Sequence, residues 1–234
     1  MIRRSNPASR LAGLAALPIV AMLVAACGGA GASFSPTGPC IVDGKAPGTY
    51  PDLEGLVPTT LGSTAATTRD SGRNCTDATL GTLKSHGVTD LRYAGSTWSP
   101  GTGPQTVIAV FKSADGLPTL TAAWVEEFYQ TGAQASTKTE NIKVTQPTIS
   151  GVAVWRLDTL NDLSFQSVVV LPSDGLVHVV IVATEVGPNA SMADHEAAVA
   201  IAVKAAAVGF ANDLAVPKSS SIERARRPVV VSPA

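Results

Sequence analysis

The sequence predicts an α+β domain, an antiparallel sheet of five to six strands with three helices packed on it as a layered sandwich. Three observations lead there. The runs "SVVVL" (167–171) and "HVVIVA" (178–183) are apolar on successive residues. A strand wet on one face alternates instead, so these central strands are expected to be covered on both faces. Helix-period segments then stand beside the strand-like ones, supplying the covers. Finally, 45% of the residues are hydrophobic but only 5% aromatic, so the core is expected to be built mainly from Ala and Val as a single unit.

The elements follow in order. "PDLEGLVP" (51–58) suits one helical turn after Asp52. "TDATLGTLKSHG" (76–87) reads as a helix capped by Thr76, with Leu80 and Leu83 on one face and Gly87 ending it. "TDLRYAGSTW" and "QTVIAVFKS" read as two strands joined by the breakers of "SPGTGP". "GLPTLTAAWVEEFYQTGAQA" (116–135) carries Leu120, Trp124 and Phe128 at four-residue spacing, flanked by Leu117 and Val125, with Pro118 in a first turn. Three or four strands are expected over 141–146, 152–159, 163–171 and 176–185, with "PSDG" as a hairpin turn. A long helix is expected over 192–212, with Ser191 as its cap and Asp194 three residues on. "VIAVFKSADGL" and "SVVVLPSDGL" echo each other, as duplicated units or as two independent Asp-Gly turns. The order of elements is similar to that of the Mog1/PsbP-like fold found in exported bacterial lipoproteins.

The ends of the chain address location. Arg3, Arg4 and Arg10 precede an uncharged run of 16 residues, Leu11 to Ala26, and no acid occurs before Asp43. A basic head, a short apolar stretch and small residues at its end form an export signal. The run is shorter than the roughly 20 residues a spanning helix needs, and Pro18 weakens it further. Val24-Ala25-Ala26-Cys27 resembles the lipobox of bacterial lipoproteins. That resemblance implies a diacylglyceryl group on the Cys27 sulfur and cleavage before Cys27, with residues 1–26 as the signal peptide. Two acyl chains would hold the protein durably, since each buried methylene contributes about 0.8 kcal/mol. Residues 27–39 are then expected to be the lipidated cysteine and a Gly-rich flexible tether, 40–215 one α+β domain, and 216–234 a disordered tail. The expected location is the cell membrane or outer membrane, with the domain on the extracytoplasmic side.

Cys40 and Cys75 remain. Outside the cytoplasm two leftover cysteines pair. A Cys40–Cys75 disulfide would close a 35-residue loop and contribute roughly 4 kcal/mol on the chain-entropy account. The alternative is two buried free thiols. No CxxC or HxxxH spacing accompanies them, so no metal is expected.

The whole chain has 17 Lys+Arg and 18 Asp+Glu. Without Arg3, Arg4 and Arg10 the remainder stands near −4, which offers no basic footprint for nucleic acid. No GxSxG elbow, HExxH or GxxxxGKS loop occurs. His178 is expected as a core histidine within a strand. His195 lies between Asp194 and Glu196 at a helix start, where neighbouring side chains diverge, so a solvated helix start is expected rather than a ligand set. Asp158 and Asp162 flank "DTLND", read as a wet hairpin turn. Arg92, Trp98, Trp155 and Arg156 are the candidate ligand contacts: a Trp and Arg patch at one sheet end suits a sugar, a peptide or a protein. The competing reading is that the tryptophans fill an Ala/Val-rich core.

The expected function is a lipid-anchored, extracytoplasmic ligand-binding or accessory module with no cofactor and no catalytic residues. Its partners are the membrane, through the anchor, and an envelope ligand or protein of unknown identity. The alternatives are a cell-envelope hydrolase and a structural factor acting through protein contacts. A greasy pocket without titratable groups would favour lipid binding. A cluster of perturbed titratable groups in a cleft would favour an enzyme.

Overall fold

A computed structural model describes residues 33–215, apart from 102, 162, 188 and 189. The signal peptide, Cys27 and the tail from 216 lie outside the described residues. The strands are β1 (Gly44–Ala46), β2 (Thr60–Leu61), β3 (Thr64–Ala65), β4 (Thr68–Asn74), β5 (Leu91–Trp98), β6 (Gln105–Ser113), β7 (Thr139–Thr145), β8 (Thr148–Ile149), β9 (Val152–Ala153), β10 (Trp155–Asn161), β11 (Ser164–Val170) and β12 (Val177–Glu185). The helices are α1 (Pro51–Glu54), α2 (Asp77–Leu80), α3 (Ala122–Ala135) and α4 (Met192–Ala215), and a 3-10 helix spans Gly81–His86.

The main sheet is antiparallel and runs β1-β4-β5-β6-β12-β11-β10-β7. The α+β class stands, but the sheet has eight strands rather than five to six, and there are four helices rather than three. The missed strands are β1 and β4. β4 reads TRDSGRN, and what it buries is Ser71, Gly72, Arg73 and Asn74. A strand that buries polar side chains carries no hydrophobic alternation to read.

The central strands are covered on both faces, as their unbroken apolar runs require. Tyr93, Ala109, Phe111, Leu157, Val168, Val170, Val179 and Ile181 face α3, α2 and the 3-10 helix. Ile108, Val169, Val180 and Val182 face α4. From α4 come Val199, Ala202, Val203 and Ala206, a helical stripe of small side chains that lets the helix lie close to the sheet. α1 covers Ala94 and Val110 on the same face. A fully buried Val contributes about 1.5–3 kcal/mol, so the Val-rich sheet supplies a core with few aromatics. The two echoed segments lie in β6 and β11, and these do not occupy equivalent places. β6 leads into α3, whereas β11 turns back directly into β12.

Three local readings change. The helix expected over 76–87 is α2 followed by the 3-10 helix, because Gly81 takes φ +49. A Cβ at Gly81 would also stand 3.1 Å from the Phe128 ring. The helix expected over 116–135 starts later, at Ala122, where the Thr121 hydroxyl accepts from the Trp124 amide at 3.3 Å. Its buried stripe is Val125, Tyr129 and Ala133, with Trp124 and Phe128 at its margin. α4 has the expected cap, the Asp194 amide donating to Ser191 Oγ at 3.2 Å.

Thr76 does not cap α2 with its own side chain. Asp43 instead fixes the entry to α2 from across the loop. Asp43 Oδ1 accepts from the amides of Cys75 (2.5 Å) and Thr76 (3.0 Å), while Oδ2 accepts from the hydroxyls of Thr76 (2.5 Å) and Thr79 (3.1 Å). The expected Cys40–Cys75 disulfide is formed beside it, with Cα atoms 5.6 Å apart. Burial raises the Asp43 pKa, but the bonds from Thr76, Cys75 and Thr79 outweigh it and hold the carboxyl below its ordinary value. Asp43→Ala is expected to cost about 1–2 kcal/mol at pH 7 in urea unfolding. Because the folded pKa is lowered, this contribution is present above pH ~4 and fades as pH falls through the folded value. The gap between wild type and variant therefore narrows in acid, and a gap that widens would contradict the assignment.

Candidate functional site

An apolar cavity of about 280 Å³ opens on the α3 face of the sheet. Its floor is buried: Leu91 from β5, Phe111 from β6, and Tyr129 and Ala133 from α3. Ala78 and Gly81 on one side and Thr131 and Ala135 on the other are exposed and form the rim. The mouth therefore lies between α2 with the 3-10 helix and the C-terminal half of α3. No Asp, Glu, Lys, Arg, His or Cys lines it. Tyr129 is the one titratable group on the wall, and burial pushes its phenol up, so it stays neutral. Asn74, Thr79, Thr82, Thr131 and Ser136 supply uncharged polar groups. Of these, Thr82 Oγ1 is buried without a hydrogen-bond partner.

Gly132 leaves one stretch of the cavity wall bare of side chain. It sits inside α3, where Gly costs about 1 kcal/mol relative to Ala. A Cβ there would meet nothing within 4 Å. The missing side chain leaves space at the cavity wall that helix stability alone would fill.

The residues expected to contact ligand do not assemble into one patch. Trp98 is buried on the α4 face, its indole N–H donating to the Thr64 carbonyl at 3.1 Å. Trp155 is buried on the opposite, α3 face. Both fill the core, which is the competing reading of these tryptophans. Arg92 lies over the Tyr50 ring at 5.3 Å and approaches Asp90 and Asp115 at 3.9 Å. Arg156 lies far along the sheet in another cluster.

That cluster corrects two expectations. His195 is not at a solvated helix start; it is 1% exposed. Asp158 is not at a wet turn but within β10. Arg156 grips Glu196 through two bonds of 2.7 and 2.6 Å and donates to Asp158 at 2.8 Å. The Ser167 hydroxyl donates to Asp158 at 2.6 Å. Having spent its one proton, Ser167 accepts from His195 Nε2 at 2.8 Å, and the Thr184 hydroxyl donates to His195 Nδ1 at 2.9 Å. A serine whose proton goes to a carboxylate, and which receives one from histidine, is not an activated nucleophile. Ser167 is also only 1% exposed. The network locks α4 to β10, β11 and β12. No spacing in the sequence marks this network, because its members come together only in three dimensions.

Burial lowers the His195 pKa, with Arg156 adding to this against Glu196 and Asp158. His195 is therefore neutral when folded and charges more readily when unfolded. Its contribution to stability is full above pH ~6.5 and falls as pH drops towards the folded value. His195→Gln is expected to cost about 1–3 kcal/mol at pH 7 and to flatten the loss of stability between pH 7 and pH 5. Chemical unfolding across that range checks it, and an unchanged slope would contradict it.

No protein-family model matches the chain, and no curated protein sequence matches it. Among solved structures it is similar to LpqN of Mycobacterium tuberculosis, a protein involved in cell envelope biogenesis. The identity is 18% and the TM-score 0.31, over 47% of this chain and 68% of that one. At that TM-score the likeness carries no argument about this chain. Among the described residues, no helix is long and apolar enough to cross a membrane.

Proposed function

We propose that this chain is a cell-envelope lipoprotein, anchored through lipid on Cys27, whose domain takes up a small apolar ligand in the cavity between α2 and α3. The observation that carries this reading is the chemistry of the cavity wall. Leu91, Phe111, Phe128, Tyr129 and Ala133 surround a space with no ionisable group other than a neutral phenol. Such a wall rewards alkyl surface and penalises charge, because a charge there would be desolvated without a partner. Polar uncharged groups are confined to a few positions, as in sites that bind an apolar body and orient a polar end.

The binding half is tested with the chain from Gly28 onward and an 11-(dansylamino)undecanoic acid probe. Saturable binding of one probe per chain is expected, with affinity falling at least about ten-fold in Gly132→Phe, as loss of a well-packed alkyl segment predicts. Unchanged melting of that variant would show that the loss is not unfolding. Absence of saturable binding, or binding indifferent to Gly132→Phe, would overturn the reading. The anchoring half is tested by intact mass spectrometry of membrane-extracted protein. A chain starting at Cys27 with added acyl mass is expected, and an unacylated chain cut elsewhere would refute it.

A further inference from the structure

We infer that Asn74 and Tyr129 read the polar end of the ligand in the cavity, and that this end is an uncharged carbonyl group, an ester or an amide, rather than a carboxylate or a cation. This rests on the reading just proposed and adds the chemical class of the ligand and the residues that select it.

The polar groups of the wall differ in what they have left to offer. The Thr79 hydroxyl is held between Asp43 (3.1 Å) and the Thr76 carbonyl (3.0 Å). Ser136 Oγ accepts from the Lys138 amide at 3.3 Å, and Thr131 is exposed on the rim. The Thr82 hydroxyl has no open surface. Asn74 and Tyr129 remain, 7% and 9% exposed. Among the described residues neither the Asn74 carboxamide nor the Tyr129 hydroxyl has a hydrogen-bond partner, and unlike Thr82 Oγ1 neither is sealed off.

Their direction follows from the elements that carry them. Asn74 stands opposite Leu91 in the β4–β5 ladder, and opposed residues point to the same face of a sheet. Leu91 belongs to the core on the α3 side, so Asn74 points there and Arg73, its neighbour, to the other face. Tyr129 comes from the buried stripe of α3. Sheet and helix thus each bring one unpaired polar group to the same cavity.

Polar groups are costly to bury unpaired, and native proteins keep few of them. The carboxamide offers two N–H donors and the phenol one O–H donor. Burial pushes the phenol pKa up, so its proton is kept through the neutral range. Donors outnumber the single carboxamide acceptor, which favours a ligand end rich in lone pairs. A carboxylate has lone pairs but would be desolvated with no Lys, Arg or His on the wall to meet its charge. An ammonium group would find no carboxylate there. An ester or amide carbonyl accepts the same bonds and brings no charge. The space sets the size: 280 Å³ holds about nine groups of ~30 Å³, the share of one water. That is a chain of roughly eight carbons with its carbonyl.

The chain from Gly28 onward, labelled with nitrogen-15, is titrated at pH 8 with methyl octanoate, with octanoate, and with 1-chlorooctane, which has the alkyl chain without the carbonyl. Methyl octanoate is expected to saturate one site and to shift the side-chain amide signals of Asn74. Octanoate is expected to bind at least about ten-fold more weakly. Asn74→Leu and Tyr129→Phe are each expected to weaken the ester about three- to ten-fold, as loss of one uncharged hydrogen bond predicts, and to leave 1-chlorooctane within about two-fold. Tyr129→Phe removes a single oxygen, so the test stands even where Asn74→Leu does not fold. Octanoate bound as tightly as the ester, or ester affinity indifferent to both variants, would overturn the inference. Where the ester and 1-chlorooctane are both lost in Gly132→Phe but indifferent to residues 74 and 129, the selection alone is defeated. Absence of binding by either compound defeats the cavity reading beneath it.

Discussion

The structure depends on one constraint: β6, β11 and β12 are apolar on both faces. Val179 and Ile181 point to one side and Val180 and Val182 to the other. Left bare, either face would put a sheet of valines into water. α4 closes one face with an unbroken stripe of small residues. The other face is closed by α3 and, towards β4, by the shorter α2 and 3-10 helix. Where those covers meet, beside Gly132, the closure is incomplete, and the cavity is that gap. The same requirement that makes the sheet a stable core thus also places an apolar hollow beside its edge.

Electrostatics in this protein works mainly to fasten one element to another. Asp43 ties the N-terminal segment to α2, Arg73 clasps the carbonyls of residues 35–39, and the Arg156–Glu196 pair with the Ser167–His195–Thr184 chain pins α4. Each is a buried or half-buried group with several partners, and each joins elements far apart in sequence. None of them faces the cavity. This division leaves the wall of the cavity uncharged and the fastening groups protected from whatever enters it.

Much of the fold was legible in the sequence. β5, β6, β10, β11 and β12 announce themselves by continuous or alternating apolar residues, and α4 by its small apolar period and Ser191 cap. The two-sided burial followed directly from "SVVVL" and "HVVIVA". β4 was illegible because Ser71, Arg73 and Asn74 are buried for their hydrogen bonds and position rather than for hydrophobicity. The break at Gly81 was illegible because Gly in a helical pattern reads as a weak helix residue until its positive φ is seen. The cavity was the least legible feature. Its lining comes from β4, α2, the 3-10 helix, β5, β6 and α3, and its signal was the absence of a side chain at Gly132. The aromatic residues drew attention in the sequence because they are scarce, but that scarcity reflects their use as core filler.

The central claim is that the hollow beside β4 is a site for alkyl lipid rather than a packing defect. The most direct measurement is native mass spectrometry of the chain purified from its own membrane under conditions that keep non-covalent ligands in place. The expected result is a species carrying one alkyl lipid per chain, displaced when the gas-phase complex is activated. A chain that appears only at its bare mass, with or without its covalent anchor, would contradict it.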